Sequence, residues 1–123
     1  MEFTGIPGTD LQVSRIDLGT WAMGGWMLGG TDEGQAIATI HAAIDKGIYL
    51  IDTAPVYGFG LSEQIVGRGL TLRKCRDKVF ISIKTGLDWK DGKVFRNCSG
   101  LFSFEVPGCS ISGVMWPLGP GPG

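Results

Sequence analysis

Apolar and polar positions along residues 1–97 fall into short blocks that alternate between extended and helical periods. Residues 3–13 read as two extended pieces around the turn signal Pro7-Gly8-Thr9-Asp10, which predicts a hairpin. Residues 16–20 form a short strand, followed by a glycine-rich loop over 24–30. Thr31 can cap a helix, with Asp32 and Glu33 favourable in its first turn. Ile37, Ile40, Ile44 and Ile48 then recur at near-helical spacing, and Gly47 stands where such a helix stops. Residues 49–54 make a buried strand broken by Pro55. A second helix is expected over 61–70, with Ser62 as its cap and Ile65, Val66 and Leu70 on its apolar side. Residues 73–78 are a charged connector, and 79–84 a third strand ended by Thr85-Gly86. Strand, helix, strand, helix, strand predicts a parallel sheet with right-handed crossovers, which place both helices on one face.

The pattern stops near residue 97. Residues 98–123 hold a single charge, Glu105, and four prolines. Their apolar residues, Leu101, Phe102, Phe104, Val106, Ile111, Val114, Met115 and Trp116, keep no period, and the segment closes in Gly-Pro-Gly-Pro-Gly. The expected organisation is therefore an ordered 1–97 and an apolar Gly/Pro-rich tail over 98–123. Three parallel strands cannot close on themselves, so an apolar edge at 16–20 or 79–84 should stay open and favour self-association. A chain of this kind is expected to be aggregation-prone or partly ordered on its own.

Composition narrows the classes. With 11 basic and 12 acidic residues in 123, the net charge is -1, which argues against nucleic-acid binding. No apolar run reaches the roughly 18 residues of a membrane span. The first ten residues lack the basic start and apolar core of a secretory signal, so a soluble cytoplasmic protein is expected. Three cysteines without a C-x-x-C pair predict neither a disulfide framework nor a metal site. Cys75 lies among Arg73, Lys74 and Arg76, which favour a thiolate, yet it reads more simply as an inert surface thiol. The Asn97-Cys98-Ser99 sequon has no signal peptide to give it meaning. Neither Gly58-Phe59-Gly60 nor Gly67-Arg68-Gly69 completes a dinucleotide fingerprint, because Glu63 and Leu72 stand where the last glycine belongs. Asp91-Gly92 is a turn signal, which could also belong to a lid.

The charges in the strands carry the chemistry. Asp52 follows Leu50 and Ile51, and Lys84 follows Ile81, Ser82 and Ile83; a charge in an apolar strand costs several kcal/mol unless paired. On neighbouring parallel strands the two would meet at the carboxyl edge, where α/β folds bind ligands. Tyr57 sits in the loop just past Asp52, and Gly19-Thr20-Trp21 reaches the same edge. A structural Asp–Lys pair with a packing tyrosine satisfies these facts. So does a site: an ammonium beside a phenol, whose free pKa is about 10, favours the phenolate, and Asp52 would hold the lysine. Such a tyrosine can protonate a carbonyl oxygen while a hydride from a reduced nicotinamide attacks the carbon.

The segments Asp10-Leu11-Gln12-Val13-Ser14-Arg15, Leu18-Gly19-Thr20-Trp21-Ala22, Ile51-Asp52-Thr53-Ala54-Pro55-Val56-Tyr57-Gly58, Ser62-Glu63-x-x-Val66-Gly67, Ile83-Lys84-Thr85 and Trp89-Lys90-Asp91-Gly92-Lys93 closely resemble the aldo-keto reductases. The likeness runs unbroken from Thr4 to about Ser99. It implies the N-terminal portion of a (β/α)8 TIM barrel, a hairpin plus about three strands and two helices, with the barrel incomplete. It also implies NADPH-dependent reduction of a small aldehyde or ketone. By motif, Tyr57 is the proton donor, Lys84 and Asp52 its tuning pair, and Gly19, Thr20, Trp21 and Asp52 hold NADP(H). The family's active site has a fourth member, a histidine on the fourth strand, but no histidine follows His41. His41 falls in the first helix, where a structural role is expected. After Asn97-x-Ser99 the family continues in a charged helix, where this chain has Gly100-Leu101-Phe102-Ser103-Phe104. The tail thus reads as out-of-frame or substituted sequence on a truncated and inactive reductase. The alternative is a non-catalytic fragment or interaction piece that pairs through open sheet edges.

Overall fold

The computed structural model describes residues 1–25, 32–84, 87–96 and 113–116. The chain opens with an antiparallel hairpin of β1 (Phe3–Gly5) and β2 (Gln12–Ser14), in register Phe3↔Ser14. There follow β3 (Asp17–Gly19), a 3-10 turn over Trp21–Gly24, α1 (Glu33–Asp45), β4 (Leu50–Thr53) and α2 (Leu61–Arg73). A second 3-10 turn (Arg76–Lys78) leads to β5 (Phe80–Lys84), the hairpin β6 (Leu87–Lys90) and β7 (Lys93–Arg96), and β8 (Gly113–Trp116). The main sheet runs β3-β4-β5-β8, and all its described pairings are parallel.

The expected βα rhythm is present, with corrections at the element ends. Thr31 lies outside the described residues. Asp32 is the cap of α1, its Oδ1 accepting from the Gln35 amide at 2.9 Å. Ser62 does not cap α2; Gly60, with a φ of 92°, takes that position, and Ser62 lies within the first turn. The helix continues past residue 70 to Arg73. The sheet has four described strands, not three, because tail residues Gly113–Trp116 pair along β5 with Lys84 opposite Trp116. The edge over 79–84 is thereby covered, while β3 is paired on one side only among the described residues.

Alternation along the strands sorts the two faces. Ile51, Thr53, Ile81 and Ile83 are buried, whereas Leu50, Asp52, Phe80, Ser82 and Lys84 are half-buried. The buried set meets Ala36, Ile40 and Ile44 of α1 and Ile65, Val66 and Leu70 of α2 in one core. Fully burying an aliphatic side chain such as Ile40, Ile51, Ile65 or Leu70 contributes about 1.5–3 kcal/mol. Both helices therefore lie on one face, and Asp52 and Lys84 belong to the other. The helices approach closely at Gly69, where an added Cβ would meet Ile40 at 3.3 Å. His41 Nε2 donates to the Gly69 carbonyl at 2.8 Å, which gives that residue its place in the helix pair. Arg73 ties the same interface to Asp45 at 2.6 Å.

The hairpin is anchored under the opposite, amino end of the sheet. Ser14 Oγ donates to the Ile16 carbonyl at 2.8 Å and accepts from the amides of Tyr49 (3.0 Å) and Leu50 (3.2 Å). Phe3 stacks on Tyr49 with centroids 6.2 Å apart.

Candidate functional site

At the carboxyl end of the sheet, Asp52 and Lys84 come together. Asp52 is in register with Ser82, and Lys84 lies two residues further along the same face of the neighbouring strand. Lys84 Nζ donates to Asp52 Oδ2. The ammonium also lies 5.3 Å from the centroid of the Tyr57 ring, within cation–π range. Burial opposes the charge on Lys84, but bonding and charge interactions with Asp52 and Tyr57 outweigh it and hold its pKa above the ordinary lysine value. The lysine is thus kept as a cation beside the phenol.

Tyr57 is presented by a tight run of turns. Its amide donates to the Ala54 carbonyl at 3.1 Å, and its carbonyl accepts from the Ser62 amide at 3.1 Å. Gly58, Phe59 and Gly60 follow with φ of 63°, 54° and 92°. The loop presses on the 3-10 turn after β3: a Cβ at Gly24 would lie 2.5 Å from the Gly58 nitrogen and 2.6 Å from the Tyr57 carbonyl carbon. Backbone meets backbone here, so no side chain can yield. The β6–β7 hairpin borders the same loop, with Trp89 and Phe59 ring centroids 5.9 Å apart. Asp91 and Gly92, at φ of 51° and 74°, make its two-residue turn, as the sequence predicts.

Of the Gly19-Thr20-Trp21 group, Gly19 is exposed with open space where a Cβ would stand, and Trp21 is 45% exposed. Thr20 is wholly buried, and its hydroxyl donates to the Asp52 carbonyl at 2.9 Å. Behind it lies Ser62, also wholly buried, with Oγ 2.8 Å from Thr20 Oγ1 and 3.3 Å from Thr53 Oγ1. Glu63 is 7% exposed, and its Oε1 has no partner among the described residues. Burial raises its pKa. Sequence reasoning missed these interior roles because a hydroxyl ahead of a helix reads as a cap; only the spacing of Ser62 from Thr20 in space reveals otherwise. Cys75 is another correction. It is buried rather than on the surface, and burial pushes its thiol pKa up despite the opposing charge of Arg73. No group of metal-binding side chains occurs among the described residues. Among these residues, no helix is long and apolar enough to cross a membrane.

Comparison with known proteins gives the arrangement a context. Residues 15–99 match the Aldo/keto reductase family. The chain is 56% identical over 99 residues to Aldo-keto reductase YhdN of Bacillus subtilis (strain 168), covering 80% of this chain and 30% of that protein. It is 46% identical over 91 residues to the NADH-specific methylglyoxal reductase of Escherichia coli (strain K12), covering 71% and 27%. Among solved structures, the glycerol dehydrogenase AKR11B4 from Gluconobacter oxydans aligns with a TM-score of 0.67 at 53% identity, over 77% of this chain and 30% of that one. The holo form of aldo-keto reductase AKR11C1 from Bacillus halodurans gives the same TM-score at 30% identity, over 79% and 30%. The chain spans about 30% of the length of these relatives.

Proposed function

Because the chain belongs to the aldo/keto reductase family, we propose that its β3–β5 region is the opening part of a (β/α)8 barrel whose carboxyl end reduces a small aldehyde or ketone with NADP(H). The observation that carries this reading is the meeting of Asp52, Lys84 and Tyr57 at one end of one sheet face. In this reading Tyr57 donates its phenolic proton to the carbonyl oxygen. Lys84, held by Asp52, stabilises the negative charge left on the phenol oxygen. When bound, the reduced nicotinamide supplies the hydride that adds to the carbonyl carbon. The residues that would hold it fit a flat ring: Gly19 leaves open space, Trp21 is partly exposed, and Asp52 pairs with Gly19 across the sheet. Thr20 contributes by fixing the Asp52 backbone, since its own side chain is buried.

These 123 residues on their own are not expected to turn over substrate. No histidine follows His41, and the fourth strand, Gly113–Trp116, carries no ionisable side chain. The tail proposed over 98–123 then lies outside the family match from residue 100 on, since that match ends at residue 99. These residues span about 30% of the length of the relatives, so the purified 123-residue stretch does not itself supply contacts from the remaining length. With each lost charge-assisted contact worth about 1.5–3 kcal/mol, NADPH should bind at least about two orders of magnitude more weakly than to a full barrel. A fluorescence titration of the purified chain checks this, and micromolar binding would refute it. The chemistry is tested by joining residues 1–96 to the remainder of a complete relative. Tyr57→Phe there should abolish carbonyl reduction while leaving cofactor binding nearly intact, because the phenol acts when charge develops on oxygen. Retention of more than about a few per cent of turnover would place the acid elsewhere. The second reading, a non-catalytic piece that pairs through its sheet edge, is favoured by β3, whose outer side has no partner strand among the described residues.

A further inference from the structure

Behind the site runs a chain of buried hydroxyls. The Asp52 carbonyl oxygen accepts from both the Thr20 amide (3.0 Å) and Thr20 Oγ1 (2.9 Å). A carbonyl can only accept, so the single hydroxyl hydrogen of Thr20 is committed to it. Thr20 Oγ1 is then the acceptor in its 2.8 Å contact with Ser62 Oγ. Ser62 Oγ also lies 2.9 Å from the Thr20 carbonyl, so either place for its one hydrogen is on Thr20. Its oxygen is left to accept from Thr53 Oγ1 at 3.3 Å. The order of donation is Thr53 to Ser62, Ser62 to Thr20, Thr20 to Asp52. Thr53 follows Asp52 directly in β4, so the chain closes on the strand where it began.

Ser62 is the joint of this loop. Its hydroxyl bonds Thr20, which in turn holds the Asp52 carbonyl, and its amide donates to the carbonyl of Tyr57. We propose that Ser62 is a positioning residue, which, through Thr20, sets the direction of Asp52 toward Lys84 and simultaneously holds the Tyr57 loop at a fixed distance from that pair. The location of the four oxygens favours this over generic core packing. Thr20, Thr53 and Ser62 are 0–1% exposed, and a relay of hydroxyls in such surroundings is stiff because each bond polarises the next. Lost hydroxyl order would let Thr20 rotate and release one of the two donors to the Asp52 carbonyl. The consequence for catalysis rests on the reading of Tyr57 as proton donor; the geometric claim does not.

The test is made on the whole 123-residue chain by following the Lys84 side chain with 13C NMR as pH is raised. In Ser62→Ala, and in the isosteric Thr20→Val, the Lys84 titration should fall from its raised position toward the ordinary lysine range, because Asp52 no longer faces the ammonium squarely. Thr20→Ser keeps the hydroxyl and should retain the wild-type midpoint. A Ser62→Ala chain that melts earlier but titrates at the wild-type midpoint would overturn the proposal and leave Ser62 a packing residue. If both hydroxyl-deleted chains fail to fold, the wild type decides. As Lys84 titrates, the Thr20 and Ser62 Cβ signals should move with the same midpoint as the lysine side chain, and independent movement would overturn the proposal. A joined barrel in which Tyr57→Phe stays active would remove the catalytic reading and leave these NMR outcomes unaltered.

Discussion

Glu63 sits in the first turn of α2 with 7% of its surface exposed and Oε1 unpartnered among the described residues. The partial positive charge at a helix N-terminus favours a carboxylate there, but burial dominates and raises the pKa. A raised pKa means that the folded state holds the proton more tightly than the unfolded chain. Well below the ordinary glutamate value of about 4.3 both states are protonated and there is no penalty. As pH rises through that value the unfolded carboxyl ionises first, and stability is lost until the folded pKa is passed. Glu63→Gln should therefore raise the melting temperature at pH 7, with the gain shrinking as the melts are repeated toward acid. An equal gain at every pH would remove ionisation as the cause. Asp52 and Lys84 were legible in the sequence because each interrupts an apolar strand, and Tyr57 because it follows one of them at a strand end. Ser62 and Glu63 were not, since burial of a polar residue in a first helical turn depends on what the turn rests against.

The placement of whole elements was set by their apolar period, but the fit between them was not. Gly24 and Gly58 illustrate this, being two glycines among 21 whose close approach has no sequence signature. Gly24→Ala drives a Cβ into the backbone that presents Tyr57, so the 3-10 turn and the tyrosine loop must part. The expected loss is about 1–3 kcal/mol of stability, together with weaker protection of the Tyr57 loop from protease. Gly92→Ala is a control of a different kind. Its φ of 74° disfavours a side chain, yet nothing lies within 4 Å, so about 1–2 kcal/mol of local strain should appear in the β6–β7 hairpin alone. Denaturant melts of both variants separate the cases, since only Gly24→Ala should alter the Tyr57 environment. The Asp91-Gly92 turn was readable from two adjacent residues; the meeting of Trp89 with Phe59 required the fold.

At the scale of the molecule, a parallel sheet has been given one covered edge by sequence that promised none. Residues 113–116 show neither alternation nor charge in sequence, yet they pair in parallel with β5 from Ile81 to Lys84. A chain ending at Arg96 would expose the β5 edge, where Val79, Phe80, Ile81 and Ile83 are apolar, and should elute as larger species than the whole chain at equal concentration. At the other edge, Ile16 is 58% exposed beside β3. Ile16→Lys places a charge beside that edge and should reduce association of the whole chain in sedimentation velocity. If it leaves association unchanged, β3 is not the contact.

The Ser14 hydroxyl beneath the sheet has a kinetic consequence. The amides of Tyr49 and Leu50 both end on a single oxygen that belongs to β2. When the N-terminal hairpin lifts away, those two hydrogens lose their acceptor while the pairing of Ile51 and Thr53 with β5 stays closed. In heavy water, Tyr49 and Leu50 would take up deuterium on the hairpin's clock, and the entry to β4 would record the breathing of an element that precedes it by more than thirty residues.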